Sequence, residues 1–340
     1  MNNFKKVGLT ALAGSLCMVS ANAVEYTMSG GLLTTLTTEN APSSIANNGK
    51  GIGVATDLTF NASGELDNGF TVGYMMAVDT DGALSNTSSQ LTVGMGSLGT
   101  LQVNNKLGSK ANGIDDISPT AYNETWDELS TVNPSFFGSS TTAGSLDYRI
   151  APQEIMGVTI NASYTYDPAA DTGPASKGGV TASNTGSGDA WTIQFNHDSG
   201  LEVGGGHESV NTNSSLVNAQ GVDRATAYVK YTLGGLTASY QEAYEDAFTS
   251  AVVDTGADRS ANFTAVAYTA GDITVSYGES ELTSEAISDT VSTSEELSSI
   301  QAAYVMGAMT VSAAMSETDN LGGVAGQVYE ENTLAVSFAF

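Results

Sequence analysis

Apolar and polar residues alternate along most of the chain from Val24 onward. The clearest run is 51–63, in which Ile52, Val54 and Leu58 share one face of an extended strand with other apolar residues, while polar or small residues share the opposite face. Alternation with a period of two is typical of a β-strand that has one apolar and one polar side. The pattern therefore predicts an all-β fold.

The links between the predicted strands are of two kinds. Short, turn-rich links such as Gly64–Gly69 alternate with long polar links such as Asp167–Gly188, and the runs count to about sixteen strands. A membrane-spanning barrel has an even strand number, short turns at one end and long loops at the other. A soluble sandwich strand has the same period, but a sandwich has no reason to sort its links by length. We therefore predict one transmembrane antiparallel β-barrel over residues 24–340.

One long segment, Leu107–Gly144, interrupts the alternation after the fifth predicted strand. It carries five acidic residues, two adjacent phenylalanines and two prolines. Long segments without a regular pattern are usually functional when they occur in a compact fold. A barrel of about sixteen strands is wide enough to leave an aqueous channel. We expect this segment to be the third external loop and to fold into the lumen, where it narrows the channel.

The first residues resemble a secretory signal. Two lysines precede a short apolar run, and Ala21–Ala23 fits the small-x-small cleavage pattern. We expect residues 1–23 to be removed, so that the mature chain starts at Val24. The single cysteine, Cys17, lies in this segment, and the predicted mature chain therefore has no disulfide.

The predicted mature chain is strongly acidic. The full sequence has 37 acidic and 10 basic residues, of which two basic ones lie in the signal, so the net charge becomes 8 − 37 = −29. A field of this sign repels nucleic acid and attracts cations. Although such acidity is typical of disordered chains, 41% hydrophobic residues in regular alternation argue for a folded protein.

The chain resembles the general diffusion porins of Gram-negative outer membranes, of the alphaproteobacterial trimeric type. The resemblance rests on the signal, the strand number, the long third loop, the stretches Gly64–Tyr74 (GELDNGFTVGY) and Gly96–Val103 (GSLGTLQV), and the terminal Phe340. It implies a homotrimer in outer-membrane lipid that lets ions and small hydrophilic solutes diffuse passively. It also implies that Phe338 and Phe340 are a C-terminal signal read by the barrel-assembly machinery.

Charged residues are the candidate pore residues. Because rings of carboxylates favour cations, we interpret the loop acids as the constriction: Asp115, Asp116, Glu124, Asp127 and Glu128. Strand parity places four basic residues on the lumen side: Lys106, Arg149, Arg224 and Lys230. In the porins that this chain resembles, an arginine-rich wall faces the loop, whereas four scattered basic residues make a weak one. We therefore expect a cation-preferring channel.

Other interpretations stay open at this point. Clustered carboxylates could bind calcium, although neither Asp79–Gly82 nor Asp115–Asp116 has the spacing of a calcium loop. The channel could be substrate-selective, or the barrel could be plugged and act as a surface structural or adhesive protein. His197 and His207 are the only histidines and stand in no recognisable acid–base constellation. We therefore predict no enzyme activity, no cofactor and no metal.

Overall fold

The computed structural model describes residues 25–42, 49–79, 85–106, 108–127, 134, 136–138, 143–168, 187–211, 221–248, 258–286, 290–291 and 293–340. These residues form eighteen strand segments, and three short 3₁₀ turns lie between strands, at Gly96–Leu98, Asn112–Ile114 and Leu321–Gly323. The strands are β1 Glu25–Asn40, β2 Gly49–Glu65, β3 Thr71–Asp79, β4 Ser85–Gly94, β5 Thr100–Asn105, β6 Ala143–Arg149, β7 Gln153–Ile155, β8 Val158–Asp167, β9 Ser187–His197, β10 Leu201–Asn211, β11 Gly221–Leu233, β12 Leu236–Phe248, β13 Asp258–Ala270, β14 Ile273–Ala286, β15 Thr290–Val291, β16 Glu295–Met306, β17 Met309–Asp319 and β18 Val328–Ala339.

The eighteen segments build a wall of sixteen strands. β7 continues β6 beyond a break that contains Pro152, and both pair with β8. Proline lacks the N–H that a sheet ladder needs, which explains the break. β15 has two residues and pairs only with the end of β14. All pairings are antiparallel between neighbours in the wall.

The first and last strands close the sheet into a barrel. β1 pairs with β18 from Gly31 opposite Ala339 to Asn40 opposite Glu330. Beyond the strand, Phe340 N–H donates to the Gly30 carbonyl at 3.0 Å, and Gly30 N–H donates to the Phe340 carbonyl at 2.8 Å. Closure removes the unpaired edges that hydrocarbon would not tolerate. The predicted closed antiparallel barrel is confirmed.

The side chains of the wall are sorted in the opposite sense to those of a water-soluble protein. On β12, Ser239, Gln241 and Glu245 are buried, whereas Tyr240 and Tyr244 are 43% and 47% exposed. Polar side chains thus face the interior and apolar ones face outward, which is the arrangement that suits surrounding lipid. Among the described residues, no helix is long and apolar enough to cross a membrane.

Tight turns gather at one end of the barrel. Three consecutive hairpins have two-residue turns that begin with Gly234, Gly271 and Gly307, at φ of 60°, 60° and 64°. Glycine accepts this left-handed conformation without a steric penalty, and the twist of such turns matches that of the paired strands. The strand ends that the long links join lie at the other end, as the sequence predicted.

Candidate functional site

The segment that follows β5 lies against the buried face of the wall. Three of its backbone N–H groups donate hydrogen bonds to side chains on three different strands: Ile117 to Gln241 Oε1 of β12 at 2.9 Å, Ala121 to Ser276 Oγ of β14 at 2.8 Å, and Tyr122 to Gln301 Oε1 of β16 at 2.9 Å. The segment therefore crosses several wall strands instead of following one.

The two wall glutamines also donate hydrogen bonds to the segment. Gln241 Nε2 lies 2.8 Å from the Ile114 carbonyl and 3.1 Å from the Asp115 carbonyl, and Gln301 Nε2 lies 2.7 Å from the Asn123 carbonyl. A primary amide can donate and accept at once. Each glutamine thus satisfies backbone groups that have no sheet partner, and such pairing is required wherever backbone is buried.

Two apolar clusters hold the other side chains of the segment. Phe136 packs in a cluster on β12, β13, β14, β16 and β18 that includes Phe263 and Tyr329, with Trp126 against it. The Arg259 guanidinium lies 4.9 Å from the centre of the Phe136 ring, within the range of a cation–π contact. The neighbouring phenylalanine, Phe137, belongs to a second cluster made with residues 111, 114, 190 and 228. The adjacent phenylalanines therefore serve as anchors.

The loop acids differ in exposure. Asp115, Asp116 and Glu124 are half-buried and Asp127 is exposed, while Glu128 lies outside the described residues. Burial raises the pKa of Asp116, although its carboxylate accepts a 2.7 Å hydrogen bond from the Ser118 N–H, which acts in the opposite direction. Desolvation disfavours the charged form of a carboxyl group.

Glu124 is the most perturbed of these carboxyl groups. Burial is the largest cause and raises its pKa to about 8, and the negative charges of Asp116, Asp115 and Asp127 add to the shift in that order. The four acids therefore lie close enough to repel one another. The structure brings together four of the five acids that the sequence singled out.

The basic residues of the wall are paired with acids. The ion pairs are Arg149–Asp147 at 2.7 Å, Arg224–Glu208 at 3.0 Å, Arg224–Glu245 at 2.6 Å, Arg259–Glu245 at 2.6 Å and Lys230–Glu202 at 3.1 Å. The side chains of Asp147 and Glu208 are fully buried. Glu208 Oε2 also accepts a 3.0 Å hydrogen bond from the Gly138 N–H, so one ion network supports the far end of the loop.

Comparison with known proteins decides the family. A sequence model described as Gram-negative porin matches residues 8–340. The chain belongs to the Gram-negative porin family. Family and fold together make the protein an outer-membrane channel through which small solutes diffuse. No curated protein sequence matches this porin.

Solved structures share the barrel of this porin at low sequence identity. A loop-L8 deletion mutant of OmpT from Vibrio cholerae has a TM-score of 0.69 at 11% identity, over 94% of this chain and all of that chain (100%). An anion-selective porin from Comamonas acidovorans has 0.68 at 12%, over 93% and 100%. In-vitro folded Vibrio cholerae OmpT in its trimer form has 0.66 at 11%, over 93% and 99%. At these identities the likeness shows the fold.

Three of the four predicted basic residues lie on wall strands, and the fourth lies just beyond the end of a strand. Arg149, Arg224 and Lys230 carry ion pairs on the polar face of the wall. Lys106 follows the last residue of β5, has a φ of 63° and is exposed. Strand parity assigns a direction only within a strand, so it does not apply to Lys106, and the lumenal role of that residue stays a prediction.

Two basic residues escaped the sequence reasoning. Arg259 is the second residue of β13, which begins at Asp258, so it precedes the part of the strand in which apolar and polar residues alternate. Lys110 lies in the loop, where no periodicity exists to assign a direction. The sequence did not single out the acidic partners Asp147 and Glu208. The alternation gives the side of the sheet on which a polar residue lies, but it does not show which polar residues form ion pairs.

The two phenylalanines at the C-terminus are accessible on the barrel surface. Phe338 and Phe340 are 42% and 73% exposed, and the Phe340 ring lies over Gly30, where an added Cβ would be 2.7 Å from it. Their recognition by the assembly machinery stays a prediction.

The described residues contain no group of three or more His, Cys, Asp or Glu side chains that could hold a metal ion. The predicted signal, residues 1–23, lies outside the described residues.

Proposed function

We propose that this porin is a cation-preferring diffusion channel whose narrowest part is formed by the described loop residues 108–127. The constriction acids are then Asp115, Asp116, Glu124 and Asp127, with Glu128 beside them in sequence. The single observation that carries the proposal is the hydrogen bonding of this loop to wall side chains on β12, β14 and β16.

Pairing of charges supports the preference for cations. The wall cations Arg224 and Arg259 are engaged with the wall carboxylates Glu208 and Glu245 and do not neutralise the loop acids. The loop acids therefore contribute a negative electrostatic potential that few basic side chains of the protein offset. Selectivity varies within the fold, since the similar barrel from Comamonas acidovorans is described as anion-selective. The side chains in the lumen, not the barrel itself, must set the sign.

Reversal potentials in a planar bilayer under a KCl gradient test this proposal. The wild-type porin should pass K⁺ more readily than Cl⁻. A variant with Asp115→Asn, Asp116→Asn, Glu124→Gln and Asp127→Asn should move the reversal potential toward zero, because it removes the loop carboxyl groups, of which Glu124 becomes charged only as pH rises through about 8.

The matched control carries Glu242→Gln and Glu279→Gln. Both residues are exposed on the outward face, on β12 and β14, so their neutralisation changes net charge without changing the lumen. The control should keep the wild-type reversal potential. A wild-type preference for Cl⁻ contradicts the cation preference, and an unshifted four-site variant contradicts the assignment of the acids.

A homotrimer and a cleaved signal belong to the same proposal. The outward face of β1 and β2 is apolar and widely exposed, with Met28, Ile52 and Val54 at 59%, 78% and 60%. Such a face suits lipid or a second copy of the barrel. Light scattering of the detergent-extracted protein should give three copies, and N-terminal sequencing should begin at Val24. A single-barrel mass, or a retained Met1, would refute the respective part.

A further inference from the structure

A polar cavity lies at the short-turn end of the barrel, apart from the loop acids. Its volume is about 460 Å³, and its lining includes Lys110, Arg149, Asn161, Gln194, Asn196 and Glu202. Arg149 pairs with Thr100, the first residue of β5, and Glu202 pairs with Asn196 across the turn between β9 and β10. The cavity is therefore close to the side of the porin at which the tight turns gather.

The charges around this cavity do not balance. Arg149 is paired with Asp147, and Glu202 is paired with Lys230. Lys110 supplies a third cation, and none of the five ion pairs among the described residues includes it. One positive charge is left over, and it belongs to the residue that the loop contributes.

Lys110 is held in this position by the backbone. Its N–H donates a 3.1 Å hydrogen bond to Asp147 Oδ2, the same oxygen that Arg149 contacts. Burial, followed by the positive charge of Arg149, lowers the pKa of the Lys110 ammonium, while the negative charges of Glu202 and Asp147 act in the opposite direction without cancelling this shift. A half-buried ammonium that forms no direct ion pair carries a desolvation cost that a bound anion would offset.

Two side-chain amides without hydrogen-bond partners in the described part of the chain line the same cavity as the Lys110 ammonium. The side-chain amides of Asn161 and Asn196 line the cavity, and neither forms a hydrogen bond with another described residue. Arg149 keeps 35% of its side-chain surface accessible despite its ion pair. A solute in the cavity can therefore contact two cations and two amides at once.

We propose that this cavity is a binding subsite for a small hydroxylated carboxylate, whose oxyanion contacts Lys110 and Arg149 and whose hydroxyl groups contact Asn161 and Asn196. This inference rests on the proposed channel function and deepens it. An anion that enters from the turn side would pause at this subsite, while the loop acids favour the passage of cations. The porin would then slow selected anions instead of simply excluding all of them.

Blockade of the K⁺ current by gluconate tests the subsite. Gluconate should reduce the single-channel current of the wild type saturably, and glucitol, which has the same hydroxyl chain without a carboxylate, should not. Lys110→Gln should raise the half-blocking concentration roughly tenfold, because a charge-assisted contact is lost. Asn161→Leu, which leaves the cations intact, should raise it by a smaller factor.

Lys50→Gln is the matched control. Lys50 is exposed on β2, and no residue of β2 lines the cavity. It should leave the block unchanged. A conducting wild type that gluconate does not block saturably, or a Lys110→Gln channel with the wild-type half-blocking concentration, overturns the subsite and leaves the channel function intact. A wild type that conducts no KCl refutes the channel function itself. Wild-type gel mobility of the unheated protein shows that each variant has folded.

Discussion

The loop acids and the wall arginines are two charged regions of the porin, and they differ in how their charges are compensated. Burial raises the pKa of Asp116, and burial together with neighbouring negative charges raises the pKa of Glu124. Arg224 and Arg259, in contrast, share Glu245 in a compact network. The number of charged side chains therefore says little about the field in the channel, which depends on which charges lack a partner.

Breaking the wall network should have the largest effect. Arg224→Met removes the arginine from the fully buried Glu208 and from Glu245, while Arg259 still contacts Glu245. Removal of one partner of a buried ion pair costs roughly 3–5 kcal/mol. We expect the purified porin to lose its folded gel mobility at a clearly lower temperature.

Lys230→Met provides the comparison for that experiment. The Lys230–Glu202 pair has side chains that are 28% and 22% exposed, so water screens it and its contribution is at most about 1 kcal/mol. The unfolding temperature should fall little. Equal losses in the two variants would contradict the distinction between a buried network and a screened pair.

Releasing the loop from the wall should have an intermediate effect. Gln241→Leu removes hydrogen bonds to the Ile114 and Asp115 carbonyls and to the Ile117 N–H. Each buried group left unpaired costs about 1–3 kcal/mol, so the loop should lose its fixed position. Single-channel recordings should show a changed conductance and more open-channel noise.

Gln153→Leu is the matched control for the loop experiment. Gln153 is exposed on β7 and donates only to the nearby carbonyls of Ala151 and Pro152. The conductance of the Gln153→Leu channel should equal that of the wild type. If Gln241→Leu channels are as quiet as the control, the wall glutamine does not hold the constriction.

Titration of Glu124 should have the smallest effect. Its pKa is raised to about 8, so the side chain is mostly protonated at neutral pH and gains its negative charge as pH rises through about 8. The K⁺ over Cl⁻ permeability ratio should therefore increase between pH 6.5 and 9.5 by roughly twofold, as one carboxylate joins the ring.

Glu124→Gln should abolish this rise, and Glu242→Gln on the outward face should keep it. Reversal potentials measured across the pH range separate the two variants. A permeability ratio that is flat with pH in the wild type would show that Glu124 does not titrate there, and a rise that survives Glu124→Gln would assign it to another group.

The pattern of the chain predicted the fold well because its information is local. Period-two alternation assigns an inward and an outward side to every residue within a strand, and this pattern was sufficient to predict the barrel. The lumenal role of Arg149, Arg224 and Lys230 stays a prediction. The alternation failed at the margins. Lys106 lies one residue past β5, and Arg259 is the second residue of β13, before the alternation begins.

The sequence by itself determined the closed barrel, the sorting of its links and the acidic loop. Only the tertiary structure decided which side chains meet across the lumen. Gln241 and Ile114, or Gly138 and Glu208, are 127 and 70 residues apart in sequence. Such contacts depend on barrel closure and strand register, which no local period encodes. For the same reason, the unpaired cation at Lys110 became visible only when its neighbours were in place.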